Sequence, residues 1–207
     1  MARVKRYLGD MVNGKVGNVV FFQLNGETFV KGVQKRESDS WTPAQQLHRK
    51  RIGQVSGLWR KIKYSQIPGI WNRANQKMNG YALFVKANMP AFATDGSLVD
   101  ARELKLSTGH LALPQEFSAE RQEPTQPLIS VSWQNKSQPK GERLEDELMV
   151  ISATGSAYTD VMATGIRRKD LGGEFELPAI NVPITHVYLF FASRDRNEYT
   201  ESVCFEV

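Results

Sequence analysis

Apolar residues recur at helical spacing through the first half of the chain. Leu47, Ile52, Val55, Leu58, Trp59 and Ile62 fall within one arc of a wheel at about 100° per residue. Thr42-Pro43-Ala44-Gln45 reads as the entry to this helix. A threonine oxygen accepts from first-turn amides, proline is harmless at the first helical position, and glutamine reaches back from three residues on. A second helical phrase has Ile67, Ile70, Trp71 and Ala74, with Pro68 in its first turn. A third, with Tyr81, Leu83, Phe84 and Val85, follows the turn pair Asn79-Gly80 and ends at Met89-Pro90. Trp59 and Trp71 are expected as core knobs between the first two helices. Arg51 falls inside the apolar arc and is expected to snorkel or to pair with a carboxylate.

Ahead of the helices the period changes to two. Gly14-Lys15-Val16-Gly17 leads into Asn18 to Leu24, the pair Asn25-Gly26 matches a type I′ turn, and Thr28-Phe29-Val30 returns. A lone hairpin is marginal in water and needs a covering layer. Gln34 to Trp41 is a polar linker.

Beyond residue 100 the chain alternates like an antiparallel sheet. Ile129, Val131 and Trp133 interleave with serines, and Val203, Phe205 and Val207 interleave with Cys204 and Glu206. In Val187 to Ala192 both alternating sets are apolar, so both faces of that strand are expected to be covered. Leu148 to Ile151, Thr159 to Ala163 and Phe175 to Leu177 add further strands. About seven short strands in roughly a hundred residues spell a β-sandwich. The expected fold class is α+β: a hairpin-plus-helices module over 1–99, then an immunoglobulin- or fibronectin type III-like sandwich over 100–207. The Trp133 and Tyr188 strands resemble the B and F strands of such a module.

Charge sharpens this division. Residues 1–99 hold 16 Lys+Arg against 5 Asp+Glu, and residues 100–207 hold 11 against 17, within a net +5. The split makes head-to-tail self-association electrostatically reasonable and marks the first module as a candidate for an acidic partner. Arg49 and Arg60 lie on one line of the first helix, and Lys50 and Lys61 on another. Gly53 and Gly57 share that polar side and weaken the helix by about 1 kcal/mol each relative to alanine. These four cations are the candidate nucleic-acid face, although Gly53, Gln54 and Ser56 dilute the charge and no aromatic residue interleaves with them.

Candidate chemistry is sparse. Gly9 to Val16 spells the G-x-x-x-x-G-K of a P-loop, but Val16 lacks the hydroxyl that would hold Mg²⁺, and a strand follows where a helix is needed. His48, His110 and His186 are far apart, and His48 reads as a partly buried core residue. The single cysteine, Cys204, reads as a buried or edge thiol. The carboxylates of Glu142 to Glu147 read as a solvated loop. No catalytic, cofactor-binding or metal-binding set and no small-molecule substrate is inferred. No apolar run reaches the ~20 residues of a membrane span, and no signal sequence is read at the start. The expected setting is cytoplasmic or a virion.

Gly14-Lys15-Val16-Gly17-Asn18-Val19-Val20-Phe21-Phe22, Asn25-Gly26, Val30-Lys31-Gly32 and Thr42 with Gln45, Arg49 and Arg51 resemble a family of uncharacterised Bacteroidetes proteins of similar length. So do Leu104 to Pro114, with Ser107-Thr108-Gly109-His110-Leu111, the Val131-Ser132-Trp133 strand and the His186 to Phe191 strand. The first half alone, through Thr42-x-x-Gln45, Trp59, Trp71, Asn79-Gly80-Tyr81-x-Leu83-Phe84 and Asn88, resembles a helical domain of phage and prophage structural proteins. It departs from that pattern at Ile67-Pro68-Gly69. The two resemblances carry no catalytic residues. The function expected is a non-enzymatic structural or adaptor protein that docks to protein partners or to its own copies. The alternative is nucleic-acid binding through the basic module. The closing strand, with Val203, Cys204, Phe205 and Val207, is the candidate docking edge, because nothing follows to cover its outer side.

Overall fold

A computed structural model describes residues 2–3, 13–24, 26–33, 41–75, 78–123, 126–135, 141–155 and 157–207. The fold is α+β, and its compact units are residues 1–42 and 43–207.

The first unit is a four-stranded antiparallel sheet of β1 (Ala2–Arg3), β2 (Gly14–Val16), β3 (Val19–Leu24) and β4 (Glu27–Gly32), in the order β1-β4-β3-β2. The expected hairpin is β3 and β4, paired from Val19↔Gly32 to Leu24↔Glu27. Gly26 has φ +78°, as the turn requires, while Asn25 lies outside the described residues. The expected linker Lys35 to Ser40 and the first half of the P-loop-like phrase, Gly9 to Val12, also lie outside them.

The second unit has three layers. Helices α1 (Pro43–Ile62), α2 (Ile67–Arg73) and α3 (Gly80–Asn88) form one. A sheet of β7 (Glu147–Thr154), β8 (Ala157–Tyr158), β9 (Met162–Arg167), β11 (His186–Ala192) and β12 (Val203–Glu206) forms the middle, ordered β12-β11-β7-β8 with β9 also on β7. A three-stranded sheet of β5 (Gln115–Arg121), β6 (Leu128–Gln134) and β10 (Gly172–Glu176), ordered β10-β6-β5, forms the third. The two sheets make a sandwich-like pair, with the Trp133 strand β6 and the Tyr188 strand β11 each flanked on both sides.

The middle sheet is buried on both faces, as the all-apolar run Val187 to Ala192 led one to expect. Leu148, Val150, Val187, Leu189 and Phe191 join Ile129, Val131, Trp133 and Phe175 in the sandwich core. Met149, Ile151, Tyr188, Phe190 and Ala192 join Val55, Leu58, Ile62, Ile67, Ile70, Trp71 and Phe84 in a second core under the helices. Alternation along two strands therefore feeds two cores at once.

That second core runs straight across residue 100. Leu104 and Leu106 are buried in it, and the connecting segment is fastened to both layers. Trp71 Nε1–H donates to Leu106 O at 3.0 Å. Asn88, fully buried, donates from Nδ2 to Lys105 O at 3.0 Å and accepts from Lys105 N–H at 2.8 Å. On the sheet side Ser202 Oγ accepts from Leu106 N–H at 2.9 Å, and Ser107 Oγ–H donates to Thr200 O at 2.6 Å. The sequence expectation of a module break near residue 99 thus meets a position where helices and sheet share one interior, and the division by packing lies between Thr42 and Pro43.

Three local expectations also come out differently. Asn79 is a helix N-cap, accepting from Ala82 N–H at 2.7 Å, and Gly80 is the first residue of α3 rather than half of a turn. A Cβ there would lie 2.5 Å from Asn72 Oδ1, so only glycine fits. Among the described residues Arg51 pairs with no carboxylate; its Nη2–H donates to Met89 O at 2.6 Å, just past the end of α3. Strand β9 starts at Met162, three residues beyond the expected Thr159.

Two outcomes follow. Trp71→Ala should lower stability by about 3–5 kcal/mol, and Trp71→Phe by about 1–3 kcal/mol, because phenylalanine fills the ring site but leaves Leu106 O without its donor. Denaturant unfolding checks both, and a loss below 1 kcal/mol for alanine would refute the core assignment. Limited proteolysis should release a stable 43–207 fragment; a stable fragment starting near residue 100 would contradict the shared core.

Candidate functional site

Four surfaces come into consideration. On α1, Arg49, Lys50, Arg60 and Lys61 are all exposed, while Val55, Leu58 and Ile62 on the far side are buried. The helix thus presents the expected two cation lines. With Arg49 set at zero, Arg60 falls at about 20°, Gly53 and Gly57 at about 40° and 80°, and Lys50 and Lys61 at about 100° and 120°. The two glycines occupy the strip between the lines. A Cβ at Gly53 would meet nothing within 4 Å, and one at Gly57 only Arg60 Nη2 at 4.0 Å. Each costs the helix about 1 kcal/mol relative to alanine with no packing among the described residues to offset it. The Asp95–Gly96 turn leans on the same helix, with a Cβ at Gly96 falling 3.0 Å from Gln54 Cγ. The Asp95 carboxyl is held below the usual range, first by Ser97 hydrogen bonds and, less, by the Lys50 charge.

The second surface is the closing strand. Among the described residues β12 lies at an edge of its sheet and pairs with β11. Its side chains, however, belong to the interior. Cys204 is buried in the helix-side core, while Phe205 and Val207 pack on the sandwich core, Phe205 at 5.4 Å from the Phe117 ring. Val203 is half-buried. Ion pairs Arg102–Glu206 at 3.0 Å and Lys105–Glu201 at 2.7 Å bridge this strand and its approach to the 101–107 segment. Removing Cys204 to Val207 would open both cores, so this strand is part of the fold before it is a contact. Burial, above all, pushes the Cys204 thiol up to about 11.

The third surface was not legible in the sequence. The outer face of the three-stranded sheet carries Glu116 and Glu120 on β5, Glu174 and Glu176 on β10, and Ser130 and Ser132 between them on β6. Register sets Glu120 and Glu174 on either side of Ser130. Ser118 and Ser132 hydroxyls meet at 2.8 Å, and Gln134 and Gln122 donate to Glu116 and Glu174. Arg121, the one cation in these strands, is in register with inward-facing Ile129.

The fourth is a cleft of about 510 Å³ lined by Arg73, Asn75, Thr108, His110, Glu198 and Tyr199 among others. Gly109 lets its wall close, since a Cβ there would fall 2.0 Å from Tyr199 O. Glu198 is paired with Arg143, which extends to the buried Asp146 and Arg168. Burial is the main force raising the Asp146 carboxyl and lowering the Arg168 guanidinium, which lies 4.6 Å over the Phe191 ring.

Other expected features separate in space. His48 is exposed, which corrects its reading as a core residue, because it sits near the start of α1 where even Leu47 is 44% exposed. His110 lines the cleft, and His186 Nδ1 lies 2.9 Å from Thr185 Oγ1. Among the described residues no three His, Cys, Asp or Glu side chains gather as a metal set. In the P-loop-like phrase, Gly14 to Val16 forms β2, so no helix N-terminus stands there to meet a phosphate. Among the described residues no helix is long and apolar enough to cross a membrane. No family model matches the chain, and no curated protein matches it.

The Cys204 environment sets a pH response. With its thiol near 11, alkylation by iodoacetamide should be slow in the folded protein at neutral pH and should rise through pH 10–11, whereas the denatured chain reacts with a midpoint near the ordinary ~8.5. Equal rates for folded and denatured protein at pH 8 would contradict the buried placement.

Proposed function

We propose that the protein is a non-enzymatic structural or adaptor component that works by docking to other protein, in the class that the resemblance to phage structural proteins implies. The observation that carries this reading is the first unit, a single-layer sheet with apolar side chains on both faces. Val16, Val19, Phe21 and Val30 share one face by register, and Val20, Phe22, Leu24 and Phe29 the other. None of the described residues from Asn13 to Val33 is buried, and Val16 and Leu24 are 59% and 57% exposed. Phe22 and Phe29 stack at 5.7 Å with Lys31 Nζ 5.5 Å above Phe22, which shields one ring face but makes no core. A single sheet layer cannot bury its apolar faces alone, and stable architectures cover them with a second layer. Among the described residues of this unit no second layer lies on either face, and on this reading a partner protein supplies it.

Nucleic-acid binding through Arg49, Lys50, Arg60 and Lys61 is the second reading, favoured by the exposure of all four. The absence of an aromatic platform between the cation lines weighs against it.

The docking reading has a direct test in the full chain. Phe22→Ser with Phe29→Ser should abolish capture of the protein that covers this sheet, measured as mass in solution, while the melting of the 43–207 body stays within about 1 °C of the parent. Amides of 13–33 should exchange freely in isolated monomer and gain protection on binding. Strong protection of those amides in a strict monomer would sink the reading, since the sheet would then need no partner.

A further inference from the structure

The 43–207 body carries opposite charge on two faces that it cannot bring together itself. Residues 43–99, which form the helical layer, hold nine Lys+Arg and one acidic residue, Asp95. Residues 100–207, which form the sheets, hold 11 against 17. The exposed cations of α1 and the glutamates on the outer face of the three-stranded sheet lie on opposite sides of the middle sheet.

We propose that α1 of one copy seats on the outer face of the three-stranded sheet of the next, joining copies head to tail. This rests on the docking reading above and names its partner as a second copy of this chain. The two faces match in charge and in width. The helix offers two cation lines about 100° apart, which at a radius of roughly 5–6 Å stand about 8 Å from one another. The sheet offers two glutamate lines, on β5 and β10, two strand spacings or about 9–10 Å apart. Arg49 to Arg60 spans about 16 Å of helix axis, and the acidic face runs about 20 Å, the six steps of β6 from Gln134, which donates to Glu116, to Leu128, in register with Glu176.

The floor between the lines matches too. On the sheet it is Ser130, flanked by Glu120 and Glu174, and Ser132, flanked by Ser118 and Gly172, all short in the middle of the strip. On the helix it is Gly53 and Gly57, whose missing Cβ atoms leave open space on this chain. Among the described residues nothing requires glycine at either place, whereas a sheet laid along the strip gains close approach from both. Carboxylates on one face and cations on the other steer the encounter and fix its direction. The contact uses different patches on the two copies, so each addition leaves one acidic and one basic face open, and growth closes to a ring or continues as a filament.

The test uses the full chain and two charge-reversed variants, Lys50→Glu with Arg60→Glu and Glu120→Lys with Glu174→Lys, each first checked for parental circular dichroism and melting. Sedimentation over concentration at low salt should show the parent assembling, with a dissociation constant that rises about tenfold or more at high salt. Either variant alone should stay monomeric, and an equimolar mixture should assemble again, because each supplies the face that the other reversed. Gly53→Ala with Gly57→Ala should raise the melting temperature yet weaken assembly, which separates contact from stability. A parent that stays monomeric at low salt overturns the proposal, as does assembly unchanged in both variants or a mixture that fails to associate. Assembly lost in the Phe22 and Phe29 variant but intact in the charge variants sinks this inference and leaves the docking reading standing. Retardation of DNA by the parent, lost only in the Lys50 and Arg60 variant and without self-association, assigns the basic face to nucleic acid and overturns it.

Discussion

The structure depends on the need of β7 and β11 to be covered on both faces. Leu148, Val150, Val187, Leu189 and Phe191 point one way, and Met149, Ile151, Tyr188, Phe190 and Ala192 the other, all of them buried. At about 1.5–3 kcal/mol for each large apolar side chain buried, leaving either face open would cost about as much as the net stability of an ordinary domain. A two-sheet sandwich satisfies only one of these faces. The helices are therefore the second cover of a sheet that would otherwise be half exposed, and α1 to α3 have no separate core beneath them.

Covering a sheet with helices leaves the chain between them to be accommodated, and its polar groups must be paired once buried. The 101–107 segment meets this with side chains chosen from both layers. Asn88 gives a donor and an acceptor to Lys105, Trp71 gives a donor to Leu106 O, and Ser202 accepts from Leu106 N–H. Tyr188 OH reaches from the middle sheet to Ala101 O at 2.9 Å. A corresponding role at the far end of the sandwich falls to Arg168. Its Nη2–H donates to Ala112 O at 2.9 Å and its carbonyl accepts from Trp133 Nε1–H at 3.1 Å, tying β6 and the entry to β5 to one turn.

The helices, the hairpin and most strands were legible because each rests on local periodicity or on a turn signal. The double burial of Val187 to Ala192 was legible for the same reason, as a run with no polar alternate. What escaped were features that depend on pairing across distance. β5 has two apolar residues pointing inward, Phe117 and Ala119, and a register shift between Gln115 and Ser118 with Glu116 at φ +49° blurs its alternation. The turn pair Asn79-Gly80 has the same spelling as an N-cap followed by a glycine pressed against Asn72, and only the neighbouring helix tells them apart. The acidic outer face was invisible because Glu116, Glu120, Glu174 and Glu176 come from strands more than fifty residues apart.

The charge asymmetry of the sequence carries the remaining lesson. A basic first half and an acidic second half read as two modules with different surroundings, and a break in composition near residue 100 was the natural place to divide them. The shared core makes them layers of one body. Each layer turns its apolar side inward and its charge outward, so a division along the chain becomes a division across the molecule, with cations on the helical surface and glutamates on the sheet surface. Long-range repulsion within each surface is screened beyond about 10 Å at 0.1 M salt, so this arrangement costs the monomer little. Two surfaces of opposite sign that one copy cannot join to each other are, by the same electrostatics, surfaces that two copies can.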